Sequence, residues 1–299
     1  MKKKITAIVP TFNVENTIER CLNSVKWADE IIVVDSFSTD NTLNIAEKFS
    51  AKILQHEYIY SAKQKNWTIP QATHEWVLLL DSDEVVTTEL ADEIQELLSS
   101  AEIVKYNGFA ISRREYFLGK WMRWGGRYPL RNIRLFKKWC RYEDRDVHAH
   151  IILPREKIKN LKNDILHFSN PNIEHLITKF NRYSTYQANY LFKKRNSGNK
   201  INLKKLFTHS IYFKSVIKDY WYFIPLAPFA RFIYMYFARL GFLDGRHGFL
   251  LAVFYGLQDY ISKTKYIELC GKKPKIRLSI QDFLTKIISK KSAPTRKLN

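Results

Sequence analysis

Three acids stand almost together at Asp81-Ser82-Asp83-Glu84, directly after the apolar run Trp76-Val77-Leu78-Leu79-Leu80. Carboxylates this close repel by about 4 kcal/mol per pair at an effective dielectric near 20. A positive species should therefore sit with them. An oxygen-liganded Mg²⁺ or Mn²⁺ that bridges to a diphosphate has the right charge and hardness. Two other polar clusters follow apolar runs in the same way. Pro10-Thr11-Phe12-Asn13 follows Ile5–Val9, and Asp35-Ser36-Phe37-Ser38-Thr39-Asp40 follows Ile31–Val34. Each aspartate could instead cap the helix after it, and for Asp40, before Asn41-Thr42, capping is the better reading.

These clusters need elements that hold their ends side by side. Ile18, Cys21, Leu22 and Val25 recur at helical spacing, as do Leu90, Ile94, Leu97 and Leu98 between Thr88 and Ser99. Helices are also expected over Asn41–Phe49 and from Ser61 to Pro70, and a short strand at Lys52–Leu54. Continuous apolar strands alternating with helices predict an α/β fold with a mostly parallel sheet covered on both faces. In such sheets ligands sit beyond the carboxyl ends of the strands, where all three clusters fall. Residues 107–153 read as mixed strands and loops rich in Arg and Trp, and 163–188 as ending in a helix.

The 299 residues carry a net charge of +20, unevenly distributed. Residues 1–100 balance at −7 and residues 101–299 at +27. An acidic half with a basic half suggests a site on one side and an anionic partner on the other. Three cysteines without a CxxC pair argue against a disulfide framework or structural zinc. The basic start, Met1 to Lys4, precedes an apolar run that stops at Pro10, too short for a signal-peptide core. From Tyr220 to Tyr260 the chain is apolar and aromatic, but Pro225, Pro228, Arg231 and Arg239 break it below the ~20 residues that a span needs. The tail from Lys272 carries nine Lys and Arg against Asp282. Together these predict attachment to an anionic membrane surface without crossing it.

The combination Ile8-Val9-Pro10-Thr11-Phe12-Asn13, Ile31 to Asp40 and Leu78 to Glu84 resembles the inverting family 2 glycosyltransferases of the GT-A fold. Ile133–Lys137, Tyr142–His148, Leu166-His167, Asn181–Ser184 and Gly241–Gly245 resemble the branch containing lipopolysaccharide-core β-glycosyltransferases. The likeness covers roughly residues 4–265. Two positions depart from the pattern. The family usually reads Asp-Asp-Gly-Ser where this chain has Asp35-Ser36-Phe37-Ser38, and this branch commonly reads His-Glu where His148-Ala149 stands.

The resemblance implies roles. Pro10, Thr11 and Asn13 would lie against the nucleotide, and Asp35 would bond its base or ribose. Lys63 and Asn66 would close over nucleotide and sugar. Asp81 and Ser82 would contact ribose or donor sugar, and Asp83, with Asp81, would hold Mg²⁺ or Mn²⁺. Asp144 is the favoured general base, with Glu143, Asp146 and His148 as alternatives. Arg113, Arg114, Arg131 and Arg134 could bind phosphates. The donor expected is a UDP-sugar, and the acceptor a glycan or lipid-linked molecule in bacterial cell-surface synthesis. Expected too are a GT-A domain over 1–190 (1–100 for donor, 101–190 for acceptor), a basic aromatic helical extension over 191–299, and a cytoplasmic location on the inner face of the membrane. A homo-oligomer is one option for the aromatic segment. The rival readings are a nucleotidyltransferase, for which a glycine-rich phosphate loop near residue 10 is missing, and a nucleic-acid binder, which leaves the aspartate spacing unexplained. No nucleic-acid partner is expected.

Overall fold

Apolar runs that alternate with helical patterns become buried strands and covering helices. The computed structural model describes residues 2–144, 149–196, 221 and 226–271. Strands β1 (Ile5–Thr11), β2 (Glu30–Asp35), β3 (Lys52–Gln55) and β4 (Trp76–Leu79) are separated by helices α1 (Glu15–Asn23), α2 (Thr42–Glu47) and α3 (Ser61–Thr68). After β5 (Glu84–Val86) comes α4 (Thr88–Ser99), where Thr87 accepts from the Leu90 N–H as N-cap. The later strands are β6 (Gly108–Phe117), β7 (Lys120–Trp121), β8 (Leu130–Lys137) and β9 (Ile158–Asn170), followed by α5 (Ile173–Asn196). Helices α6 (Ala227–Ile233) and α7 (Gly245–Leu269) close the described chain.

One sheet runs β3-β2-β1-β4-β8-β6-β9-β5, with β7 on β6. It is parallel from β3 to β4, as expected. Beyond β4 it is mixed: β8 is antiparallel to β4 and β6, and β9 is parallel to β6 but antiparallel to β5. Side chains alternate across the sheet, so one apolar run fills two cores. Ile5, Ala7 and Val9 pack with Ile18, Leu22, Leu90 and Ile94 on one face. Ile8 joins Ile32, Val34, Val77, Leu79 and Ile69 on the other.

The chain divides into two compact units, Met1–Asn181 with Leu226–Gln258, and Arg182–Pro225 with Asp259–Asn299. Much of the aromatic C-terminal stretch therefore belongs with the sheet. Leu250, Leu251, Phe254 and Tyr255 pack with Phe117, Met122, Leu176 and Phe180. Gly248 is required there, since a Cβ would meet the Gly241 carbonyl oxygen at 1.9 Å. In the second unit Ala188, Leu191 and Tyr266 form a small apolar cluster, and Trp221 donates to Asp259 at 2.8 Å. Phe229, Tyr234, Phe237, Phe242, Leu243 and Phe249 stay exposed. Tyr222, Phe223 and the tail from Lys272 lie outside the described residues. Among the described residues no helix is long and apolar enough to cross a membrane.

Candidate active site

Register brings the first two polar clusters together, because β1 and β2 are parallel and Thr11 lies opposite Asp35. Asp35 is wholly buried. Its carboxylate accepts from the Thr11 hydroxyl at 3.1 Å, the Ser38 N–H at 2.8 Å and the Ser38 hydroxyl at 2.5 Å. It thus fixes its own loop. Asn13, at φ +49°, laces the loops: its N–H donates to Ser38 Oγ and its Oδ1 accepts from the Thr39 N–H, both at 2.8 Å. Asp40 accepts from the N–H groups of Glu15 and Thr42, each at 3.0 Å, so it satisfies the first amide of the helix after it, as expected, and that of α1 as well. Phe37 replaces the glycine of the usual pattern yet keeps φ +61°, a left-handed backbone that costs a non-glycine residue about 1–2 kcal/mol. Phe37 and Phe12 are both exposed, and Pro10 is partly buried.

The acidic turn after β4 is compensated from within the chain. Arg134 of β8 donates to Asp81 at 2.6 Å and to Glu84 at 2.5 Å, and Arg113 of β6 pairs with Glu84 at 3.6 Å. Lys65 of α3 reaches the other Asp81 oxygen at 3.1 Å. Burial opposes ionisation of Asp81, but Arg134 and then Lys65 hold its carboxyl well below the usual range. Burial likewise disfavours a charged Lys65, yet Asp81 keeps its ammonium pKa raised. Asp81 remains 39% exposed while Glu84 is fully covered, so Glu84 is the internal counter-ion and Asp81 the accessible carboxylate. Ser82 between them is partly exposed.

Asp83 faces His167 of β9, Oδ2 to Nε2 at 3.3 Å. Burial raises the Asp83 pKa, but the His167 ring outweighs it and holds the carboxyl below its ordinary value. His167 is opposite Glu84 on β5 and Glu115 on β6, and its Nδ1 is buried without a partner. No cluster of three or more His, Cys, Asp or Glu able to hold an ion occurs among the described residues. One carboxylate oxygen and one imidazole nitrogen do converge, and a divalent ion shared with a substrate diphosphate needs few protein ligands. The pair fits such an ion.

Helix α3 also holds the segment that carries the base candidates. The Asn66 side chain donates to the Tyr142 carbonyl at 3.0 Å and accepts from its N–H at 2.8 Å. The Tyr60 hydroxyl bonds the Asp144 carboxylate. The Glu143 N–H donates to the His150 carbonyl at 2.9 Å, and Tyr142 bridges Ile151. Asn66 is thus a strut to the backbone. Lys63 is exposed with its ammonium 5.1 Å from the Tyr60 ring, and the lysine that enters the site is Lys65. Ala149, where the branch commonly has Glu, packs against an apolar cluster. Asp146 and His148 lie outside the described residues.

A family model for glycosyl transferase family 2 matches residues 6–162. An uncharacterised glycosyltransferase of Rickettsia typhi is 30% identical over 281 residues, covering 90% of this chain and 89% of the relative. This chain belongs to glycosyl transferase family 2. The lipopolysaccharide core biosynthesis glycosyltransferase LpsC of Rhizobium meliloti is 28% identical over 221 residues, 71% of this chain and 80% of the relative. Among solved structures, Staphylococcus aureus TarS 1-349 is similar at 17% identity and a TM-score of 0.41, over 86% of this chain and 91% of that one. The GT-A fold expected of a family 2 member agrees with the α/β sheet and its flanking helices.

Of the four arginines expected at phosphates, Arg113, Arg114 and Arg134 are paired with carboxylates, Arg114 with Asp164 at 2.7 Å. Arg131 is exposed. Lys65 was legible in principle: Ala62, Lys65 and Thr68 share one face of α3, and Ala62 and Thr68 are buried. Arg134 and His167 had no local signal for their partners, which come from distant strands.

Proposed function

We propose that this glycosyltransferase moves a sugar from a nucleotide-diphosphate sugar, a UDP-sugar first, to a membrane-associated glycan or glycolipid, with inversion. The observation that carries this reading is the convergence at Asp81. Helix α3 presents Lys65 to Asp81 and ties Tyr142 through Asn66, and Tyr60 just before the helix bonds Asp144, so donor carboxylate and base candidate share a mount. The name of the LpsC relative supports a cell-surface acceptor.

Each residue has work to do. Asp35 and Asn13 brace the nucleotide loops from behind, leaving Thr11 and Pro10 beside them. Lys65 and Arg134 hold Asp81 ionised and in one rotamer, ready to accept from hydroxyls of ribose or donor sugar. Asp83 and His167 would hold Mg²⁺ or Mn²⁺. When bound, that ion supplies neutralisation of the diphosphate leaving group. Asp144 takes the proton from the acceptor hydroxyl as its oxygen bonds the anomeric carbon. The bond from that carbon to the diphosphate oxygen breaks, and its electron pair leaves with the diphosphate. Glu143, Asp146 and His148 are the alternatives for the base. No covalent nucleophile is needed. Peripheral attachment to an anionic leaflet on the cytoplasmic side completes the proposal, and the exposed aromatic surface at Phe229, Phe237 and Phe242 supports its apolar part.

A thermal-shift screen of nucleotide sugars with Mn²⁺ or Mg²⁺ tests the donor and the metal together. One nucleotide sugar should raise the melting temperature in a metal-dependent way. Asp83→Ala should melt like wild type without ligand, lose that shift and lose turnover. Wild-type turnover by Asp83→Ala at saturating donor would sink the metal assignment.

A further inference from the structure

Four arginines near the candidate site are matched by carboxylates: Arg113 and Arg134 by Glu84, Arg114 by Asp164, and Arg127 by Glu115. Arg123 and Arg239 differ. Neither forms an ion pair among the described residues, both are exposed, and both line one cavity of about 360 Å³ together with Trp124 and Tyr128.

The walls of this cavity are bonded to one another. Buried Asp244 accepts from the N–H groups of Arg123 and Trp124 at 3.3 and 2.9 Å, and the Gly125 N–H donates to the Arg239 carbonyl at 2.9 Å. Two successive amides are thus held by Asp244 behind the cavity, and the third is tied to Arg239 of the opposite wall. Lys120 adds a bond to the Asp244 carbonyl at 2.7 Å. Gly126 has φ +75°, and a Cβ there would lie 3.3 Å from Arg239 Nε. Its absence lets the guanidinium lie against the loop. The Arg123 guanidinium sits 4.7 Å from the Trp121 ring centre, and Tyr128 meets that ring edge-on while its hydroxyl donates to Asp164. The next arginine on the loop, Arg127, turns inward to Glu115, which is opposite His167. One ion pair therefore connects this loop to β6, the strand beside the one that carries the partner of Asp83.

We infer that this cavity is an acceptor subsite for an anionic sugar, a saccharide bearing a phosphate or a carboxylate. The inference rests on the glycosyltransferase reading and names the class of acceptor. Two unpaired guanidinium groups match such an anion in forked geometry. Exposed Trp124 offers a flat apolar face for the sugar ring, and the volume suits a small saccharide. Leu240 lines the cavity and is itself exposed beside Phe242 and Leu243 in sequence, so its mouth shares a residue with the apolar surface. An anionic sugar can therefore reach it from solution or from a lipid.

Calorimetric titration of the full chain tests this with four probes: N-acetylglucosamine 6-phosphate, uncharged N-acetylglucosamine, inorganic phosphate, and phosphatidylglycerol vesicles. The phosphosugar should bind about tenfold or more tighter than the neutral sugar or phosphate alone. Arg123→Gln and Arg239→Gln should each weaken it about tenfold, and Trp124→Ala should weaken it while leaving inorganic phosphate unchanged. UDP affinity should be the same in all three variants, and its absence from the wild type would count against the donor reading instead. Equal affinity for charged and neutral sugar, no binding up to about 10 mM, or indifference to both arginine variants would overturn the subsite. If vesicles bind through Arg123 and Arg239 and compete with the phosphosugar, a lipid-linked sugar is the source. If they bind there without competing, the subsite is overturned.

Discussion

Lys63 and Lys65 are two positions apart on α3, and a helix turns about 200° over that distance, so they face opposite ways. Lys65 has its ammonium 3.1 Å from Asp81, while Lys63 is exposed beside the Tyr60 ring. Charged hydrogen bonds of this kind contribute about 1.5–3 kcal/mol. Lys65→Met should therefore weaken nucleotide-sugar binding about ten- to hundredfold in an equilibrium titration, and Lys63→Met should leave it near wild type. The reverse order would return Lys63 to the site. A similar separation applies to the base. Asp144→Asn should lower the transfer rate about 10²–10⁴-fold with donor affinity retained, because proton removal is needed only as the acceptor attacks. A near-normal rate would move the role to Glu143, Asp146 or His148.

At the scale of elements, Glu30 shows how a strand start is pinned. Its carboxylate accepts from the Thr6 hydroxyl of β1 at 2.6 Å and from the N–H and hydroxyl of Thr73 before β4, both at 2.8 Å. Burial pushes the Glu30 pKa up, but these bonds outweigh it and hold the carboxyl below its usual value. A folded-state pKa that is lowered contributes stability above the unfolded pKa, and that stability is lost as pH falls through the folded one. Denaturant midpoints should show Glu30→Gln less stable than wild type at neutral pH. The gap should shrink as pH falls below the ordinary glutamate value, about 4.3, and on through the lowered folded-state value, where the wild-type carboxyl takes up its proton. A gap that is constant with pH would mean that shape, not charge, is what matters at this junction.

For the whole molecule, the apolar C-terminal stretch has two uses. Leu250, Leu251 and Tyr255 are turned into the sheet unit, and Phe237, Phe242 and Leu243 are left outside it. Removing the stretch would expose core, so exposed side chains are the better probe of membrane attachment. The full chain should float with anionic liposomes at low salt and less so at high salt, since each Lys or Arg near the leaflet adds about 1 kcal/mol. Phe237→Ser combined with Phe242→Ser should cut flotation about tenfold or more, because each buried aromatic face adds its own transfer free energy. Wild-type protein that stays at the bottom of a low-salt gradient would assign this face to another partner.

Strands β1, β2 and β4 and the helices between them are plain in the sequence because a strand buried on both faces must be a continuous apolar run. The acids at the ends of those strands are legible for the same reason, as they mark where the runs stop. Strands β6 and β9 are different. Ser112-Arg113-Arg114-Glu115 and Lys162-Asn163-Asp164 do not read as buried strands, yet Ser112, Glu115 and Asp164 are covered. They are tolerated inside because each charge meets another from a neighbouring strand: Arg114 meets Asp164, and Glu115 meets Arg127. Such partners are set by register, and one residue of slip would send every one of these side chains to the opposite face. The sequence places three acids in a turn and calls for positive charge beside them. That Arg134 joins Lys65 in supplying that charge, and that His167 meets Asp83, is decided by long-range strand pairing in the folded sheet.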